Sequence, residues 1–77
     1  MQDSVHLGPL IDRVAPCVHQ LWIERLTSEG ATSRVSHWGE EMMRPWQELS
    51  EQAREYNRDM VRAVFYFADL MSSRLSL

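Results

Sequence analysis

The stretch Pro45-Trp46-Gln47-Glu48-Leu49-Ser50-Glu51-Gln52-Ala53-Arg54-Glu55-Tyr56-Asn57-Arg58 decides how this chain is built. A turn signal, an aromatic, a helix start and a charged helix face follow one another without a gap. Ser50 is a good N-cap, and Glu51 in the first turn complements the positive end of the helix dipole. The capping box is incomplete, because Ala53 stands where a glutamate or glutamine would reach back to the cap. From Leu49 onward, Ala53, Tyr56, Met60, Val64, Phe67 and Met71 recur at steps of three and four, and Val61, Ala68 and Leu75 widen the stripe. That period predicts an amphipathic helix over about 47–72. Glu51, Arg54, Glu55, Arg58, Asp59 and Arg62 fill the other side at spacings that allow ion pairs along the helix.

Upstream, Leu10, Ile11, Val14, Val18, Leu21, Trp22 and Leu26 mark a second helical period from Pro9 to about Ser28. Pro9 suits a first turn, where a missing amide costs nothing. Pro16 is harder to place, since an interior proline removes a hydrogen bond and costs about 3 kcal/mol. Either one kinked helix forms, or a short helical turn ends near Val14 and the main helix covers 16–28. The second arrangement is the expected one. Gly30 supplies the stop. Residues 1–8 read as a polar, flexible lead, and 9–77 as one small domain. The segment from Gly30 to Arg44 shows no clear period and is expected to be a structured loop, with room for short strands around Arg34–Trp38. The expected fold is therefore mainly α: two principal antiparallel helices, a short N-terminal turn and a central loop.

The chain has 77 residues and a single cysteine, Cys17, so no disulfide can form within it. A domain this short buries only about 60% of the surface its unfolded chain exposes, so efficient packing or a partner must stabilise it. The net charge is −3, which argues against a non-specific nucleic-acid binder. All eight basic residues are arginine, each a planar fork suited to carboxylates, phosphates and aromatic faces. The longest apolar run, Ala63 to Ala68, is too short to span a bilayer, and the N-terminus lacks the apolar core of a signal peptide. A cytoplasmic protein is expected, in the host cytoplasm if the source is viral.

Glu48, Glu51, Glu55 and Asp59 line up on one helix face, as magnesium-binding rows do. The first helix, however, offers only Asp12, Glu24 and Glu29, and arginines interleave with the row. A salt-bridged outer face is expected, with no metal and no cofactor. Cys17 and His19 are two residues apart and point to different helix faces, so they make no nucleophile pair. Trp22, Trp38 and Trp46 are either core aromatics or, beside Arg25, Arg34 and Arg44, a stacking surface for a planar ligand. Phe65, Tyr66 and Phe67 cannot all face one way, so part of the 60–75 segment is expected to stay exposed and to serve self-association or docking on a protein.

His19-Gln20-Leu21-Trp22, then Gly30, then Pro45-Trp46-x-x-Leu49-Ser50-Glu51-x-x-Arg54-x-x-Asn57-Arg58, resembles the ryanodine-receptor repeat family over roughly Leu10 to Val64. The chain departs from it at Ala31, where the family usually has a tryptophan, in a loop without the usual tyrosine-glycine pair, and at Pro16. The resemblance implies a small, mainly helical, non-enzymatic module that can carry short strands in its loop. It resembles the small stand-alone versions of bacteria and their viruses, for which sensing of a nucleotide-type ligand has been proposed. The positions a ligand site would carry over are His19, Trp22, Trp46 and Arg58; Trp38 joins them on its own reading as a loop tryptophan with no evident reason for burial. The alternative is a protein-interaction or self-assembly module without a small ligand.

Overall fold

The computed structural model describes the backbone from Asp3 to Arg74 and the side chains from Gly8 onward. Two helices make the fold: α1, Asp3–Ser28, and α2, Glu51–Arg74, with a single 3-10 turn, Trp46–Glu48, before α2. Ile11 and Ala15 of α1 meet Val61 of α2, whereas His19 further along α1 meets Trp46 just before α2, so the helices run antiparallel.

α1 does not break at Pro16. It is one helix of 26 residues with both Pro9 and Pro16 inside it, which corrects the expected short turn followed by a helix over 16–28. The physical reason is the buried line Ile11, Ala15 and His19, each four residues from the next and each at most 2% exposed. Only an unbroken helix keeps these three on one face. Burial of Ile11 alone is worth about 1.5–3 kcal/mol, comparable to the cost of the proline. The helix also takes in residues 3–8, read above as a polar lead, while Met1 and Gln2 lie outside the described residues.

Gly30 ends α1 as expected. Its φ is +90°, and its N–H donates to Thr27 O at 3.0 Å while Ala31 N–H donates to Leu26 O at 3.0 Å. This pair of bonds is a Schellman motif, which satisfies carbonyls that the helix end leaves open.

The central loop folds back on itself but contains no strand among the described residues; Val35 and Glu41 form one isolated antiparallel bridge. Ser36 N–H donates to Glu40 O at 2.8 Å and Gly39 N–H to Ser36 O at 2.9 Å. Gly39, at φ +91°, takes the left-handed position that closes such a bulged turn. Two adjacent carboxylates hold the remainder. Glu41 accepts the N–H groups of Arg34 and Met43 and the Ser33 hydroxyl. Glu40 accepts the Trp38 indole at 2.8 Å, Ser50 N–H at 2.8 Å and the Ser50 hydroxyl at 2.6 Å.

Two small clusters form the core. Ile11, Ala15 and Val61 make one; Met42, Leu49 and Ala53 make the other; Trp46 packs against both. The apolar stripe read from the sequence is therefore largely not the buried face. Met60, Val64, Phe67 and Met71 are exposed, as are Leu10, Val18 and Leu21 on α1. The helices touch instead along small or unexpected residues, Ala15, His19 and Ala53, which hydropathy alone does not single out. Leu75, counted into the stripe above, lies outside the described residues.

Candidate functional site

A cavity of about 530 Å³ opens between the two helices and the central loop. α1 contributes Val14, Val18 and Trp22; α2 contributes Tyr56, Met60 and Val64; the loop closes one end with Arg34, Val35, His37 and Trp38. The walls are overwhelmingly apolar and aromatic, with a few polar groups at the loop end, the usual make-up of a ligand pocket.

The five residues singled out from the sequence do not all converge on it. Trp22 and Trp38 line the cavity, as does one edge of His19; Trp46 and Arg58 do not. Trp38 has a structural reason for its place: its ring packs edge-on against Tyr56 and His37, at 5.5 and 4.9 Å between centroids. Its indole N–H is held by Glu40. Trp38 thus stands as a fixed aromatic wall rather than as a loose loop side chain.

His19 is 1% exposed and lies stacked on Trp22 at 5.7 Å and edge-on to Trp46 at 6.0 Å. Its Nε2 lies 2.7 Å from Arg44 O. A carbonyl only accepts, so Nε2 carries the proton and donates. The bond ties the loop's last residues to the middle of α1. Nδ1 is left buried and without a hydrogen-bond partner. His19 thus packs between two indoles and staples the loop to α1.

Arg58 is likewise occupied. Its guanidinium lies 5.7 Å from the Trp46 ring centroid, donates to Glu51 at 2.7 Å and to Glu55 at 3.1 Å, and stands 3.4 Å from Asp12 on α1. The Asp12 contact is a charge attraction only, since Nε has no aligned hydrogen bond. Glu51 first, and then Glu55, raises the Arg58 pKa further. Arg62 continues the ladder to Glu55 and Asp59. Arg62 first, then Arg58, holds the Glu55 carboxyl below its ordinary range. Arg54 reaches the other way, donating to Trp46 O at 3.1 Å and Gln47 O at 2.8 Å, so it caps the carbonyls of the 3-10 turn. Apart from Glu48, the acidic row is thus the arginine-paired outer face that its spacing predicted, on the side of α2 that carries Arg58 and Arg62.

Arg34 is the cationic side chain that does border the cavity, and sequence reasoning gave it only a supporting role. It donates to its neighbour Ser33 O at 2.8 Å and forms no ion pair among the described residues. No sequence signal distinguished it from Arg25 or Arg44; its position follows from the turn that folds the loop back.

No family model, curated protein or solved structure matches this chain. Among the described residues, no helix is long and apolar enough to cross a membrane.

Proposed function

We propose that this chain is a non-enzymatic binding module of the ryanodine-receptor repeat type, and that its site is the cavity between the helices and the loop. The ligand class is a planar ring bearing an anionic group, a nucleotide being the natural example. The observation that carries this reading is the loop end of the cavity, where Trp22, Trp38 and Tyr56 present aromatic surface and Arg34 supplies a guanidinium without a carboxylate partner. A ring stacks on indole and phenol faces, and the guanidinium fork suits phosphate or carboxylate oxygens. The site keeps Trp22 and Trp38 from the set read in the sequence. It replaces Trp46 and Arg58, which stabilise the fold, with Arg34.

Titration of tryptophan fluorescence with a panel of nucleotides and nucleosides tests the proposal, because two of the three tryptophans border the cavity. Saturable change with nucleotides is expected, weakened about tenfold or more in Arg34→Ala, the scale of a lost charge-assisted hydrogen bond. No response at millimolar ligand would refute it.

A further inference from the structure

α2 carries a polar side chain where its spacing calls for an apolar one. Ala53, Asn57 and Val61 follow steps of four and so share one helix face. Ala53 and Val61 are buried, the first in one core cluster and the second in the other. Asn57, half-buried between them, belongs to neither cluster and borders the cavity instead. An amide in such a place costs free energy unless both of its ends find partners.

Only the nitrogen end has a partner within the chain. Asn57 Nδ2 donates to Ala53 O at 2.8 Å, turned back along α2 towards a residue that does not line the cavity. A carbonyl only accepts, so this bond fixes which way the amide points: a flipped side chain would set Oδ1 against Ala53 O. Oδ1 accepts no hydrogen bond from the other described residues. Nor is it sealed off, since the buried side-chain atoms left without a partner are His19 Nδ1 and Arg58 Nε. Asn57 Oδ1 is therefore an open acceptor at the cavity wall. His19 Nδ1 is also an unpaired acceptor, but its burial keeps it out of a ligand's reach.

We infer, resting on the cavity reading above, that Asn57 selects the ring of the ligand: a planar ring bearing an exocyclic amino group, as adenine and cytosine do, donates that group to Asn57 Oδ1. The cavity's polar groups then complement the two ends of one molecule. Arg34 offers only donors and suits the anionic end, whereas Asn57 offers an acceptor and suits the amino end. Tyr56 precedes Asn57 in α2 and packs against Trp38, so the acceptor stands beside the aromatic surface on which the ring stacks. A ring with an oxo group in place of the amino group, such as hypoxanthine or uracil, sets oxygen against oxygen there and leaves both unpaired. The cavity's 530 Å³ falls within the range of about 300–1,000 Å³ of small-ligand sites.

Fluorescence titrations of the full chain with adenosine against inosine monophosphate, and with cytidine against uridine monophosphate, test the selection. Within each pair the amino group is exchanged for an oxo group. The amino member should bind at least about tenfold more tightly, the scale of leaving a paired acceptor unmet. Asn57→Leu, which removes the acceptor at comparable size, should abolish that preference. Arg34→Ala should weaken both members of a pair alike and keep their ratio. Circular dichroism should report intact helices in both variants. In the unaltered chain, the Asn57 side-chain amide resonances should move with adenosine monophosphate and stay in place at the same concentration of inosine monophosphate. Equal affinities within both pairs would overturn the amino selection and leave the cavity reading standing. A preference that survives Asn57→Leu would overturn the role of Asn57. Failure of all four nucleotides to bind would overturn both.

Discussion

Glu40 accepts the backbone N–H of Ser50 at 2.8 Å, and thereby performs from ten residues upstream the task that a glutamate at position 53 performs in a capping box. The other half of the motif is intact, since Ala53 N–H donates to the Ser50 hydroxyl at 3.0 Å. Position 53 is free to be alanine, which the core requires: that residue is 0% exposed and packs between Met42 and Leu49. The loop and the start of α2 are thus one hydrogen-bonded unit. Ser50→Ala should lower stability by about 1 kcal/mol, the usual value of an N-cap. Glu40→Ala should lower the melting temperature and also release the Trp38 indole. Urea and thermal melts followed by circular dichroism, together with the Trp38 emission, check both. Glu48→Ala, which removes no hydrogen bond, is the control.

The loop should respond to acid. The Arg34 N–H, the Ser33 hydroxyl and the Met43 N–H hold the Glu41 carboxyl down at about 2, against an ordinary value of 4.5. The Ser50 N–H and hydroxyl, followed by the Trp38 indole, lower Glu40 in the same direction. A carboxyl depressed by folding contributes stability that is fully present above its unfolded pKa and is lost as pH falls through its folded one. Stability should therefore decline from about pH 4.5 towards pH 2, and the Arg34 and Met43 amide resonances should shift in that window. In Glu41→Gln the Met43 and Arg34 shifts should no longer titrate; if they do, Glu41 does not organise the loop.

Trp46 is the side chain the fold can least lose. It packs on both core clusters, meets the His19 ring and carries Arg58 over its face. Trp46→Ala should cost about 3–5 kcal/mol. That is a large share of the total for a domain of this size, so the variant should be mostly unfolded at 37 °C. Trp46→Phe should retain the fold with a lower midpoint in urea. Trp22→Ala, at the cavity edge, should be much milder.

Pro16→Ala offers a test of the continuous helix. In α1 the residue at 16 would donate to Asp12 O, and proline cannot. If the helix runs through, alanine restores that bond and removes the ring clash, and stability should rise by up to about 3 kcal/mol. A helix broken at this point would gain little, and equilibrium denaturation would show it.

Much of the scaffold was legible in the residues. Ser50 as cap, Gly30 as stop, and the three- and four-residue steps of α2 are local signals, and local chemistry settles them. So are the ion pairs of Glu51, Glu55 and Asp59 with Arg58 and Arg62. What escaped depends on contacts between distant segments. Pro16 reads as a break because the line that overrides it, Ile11, Ala15 and His19, contains an alanine and a histidine that hydropathy does not mark as core. The surplus of apolar residues over 60–75 says that part of the α2 face stays exposed, but the period alone does not say that the exposed part includes Met60, Val64 and Phe67. Of the residues read as a candidate site, His19, Trp22 and Trp38 line the cavity and Arg58 does not, whereas Arg34 does. The two differ only in their neighbours: a helix places Glu51 and Glu55 within reach of Arg58, whereas the Ser36–Gly39 turn carries Arg34 to the cavity.

The arginine–carboxylate ladder on one side of α2 and the apolar packing on another have a consequence for how this protein answers to ionic strength. Exposed ion pairs such as Arg62 with Glu55 and Asp59 weaken as salt screens them. Apolar association strengthens in salts such as sulfate that are excluded from protein surfaces. Sodium chloride and ammonium sulfate should therefore act differently on the same chain. The first loosens the ion pair between Asp12 and Arg58 that joins α1 to α2; the second tightens the apolar packing between the helices.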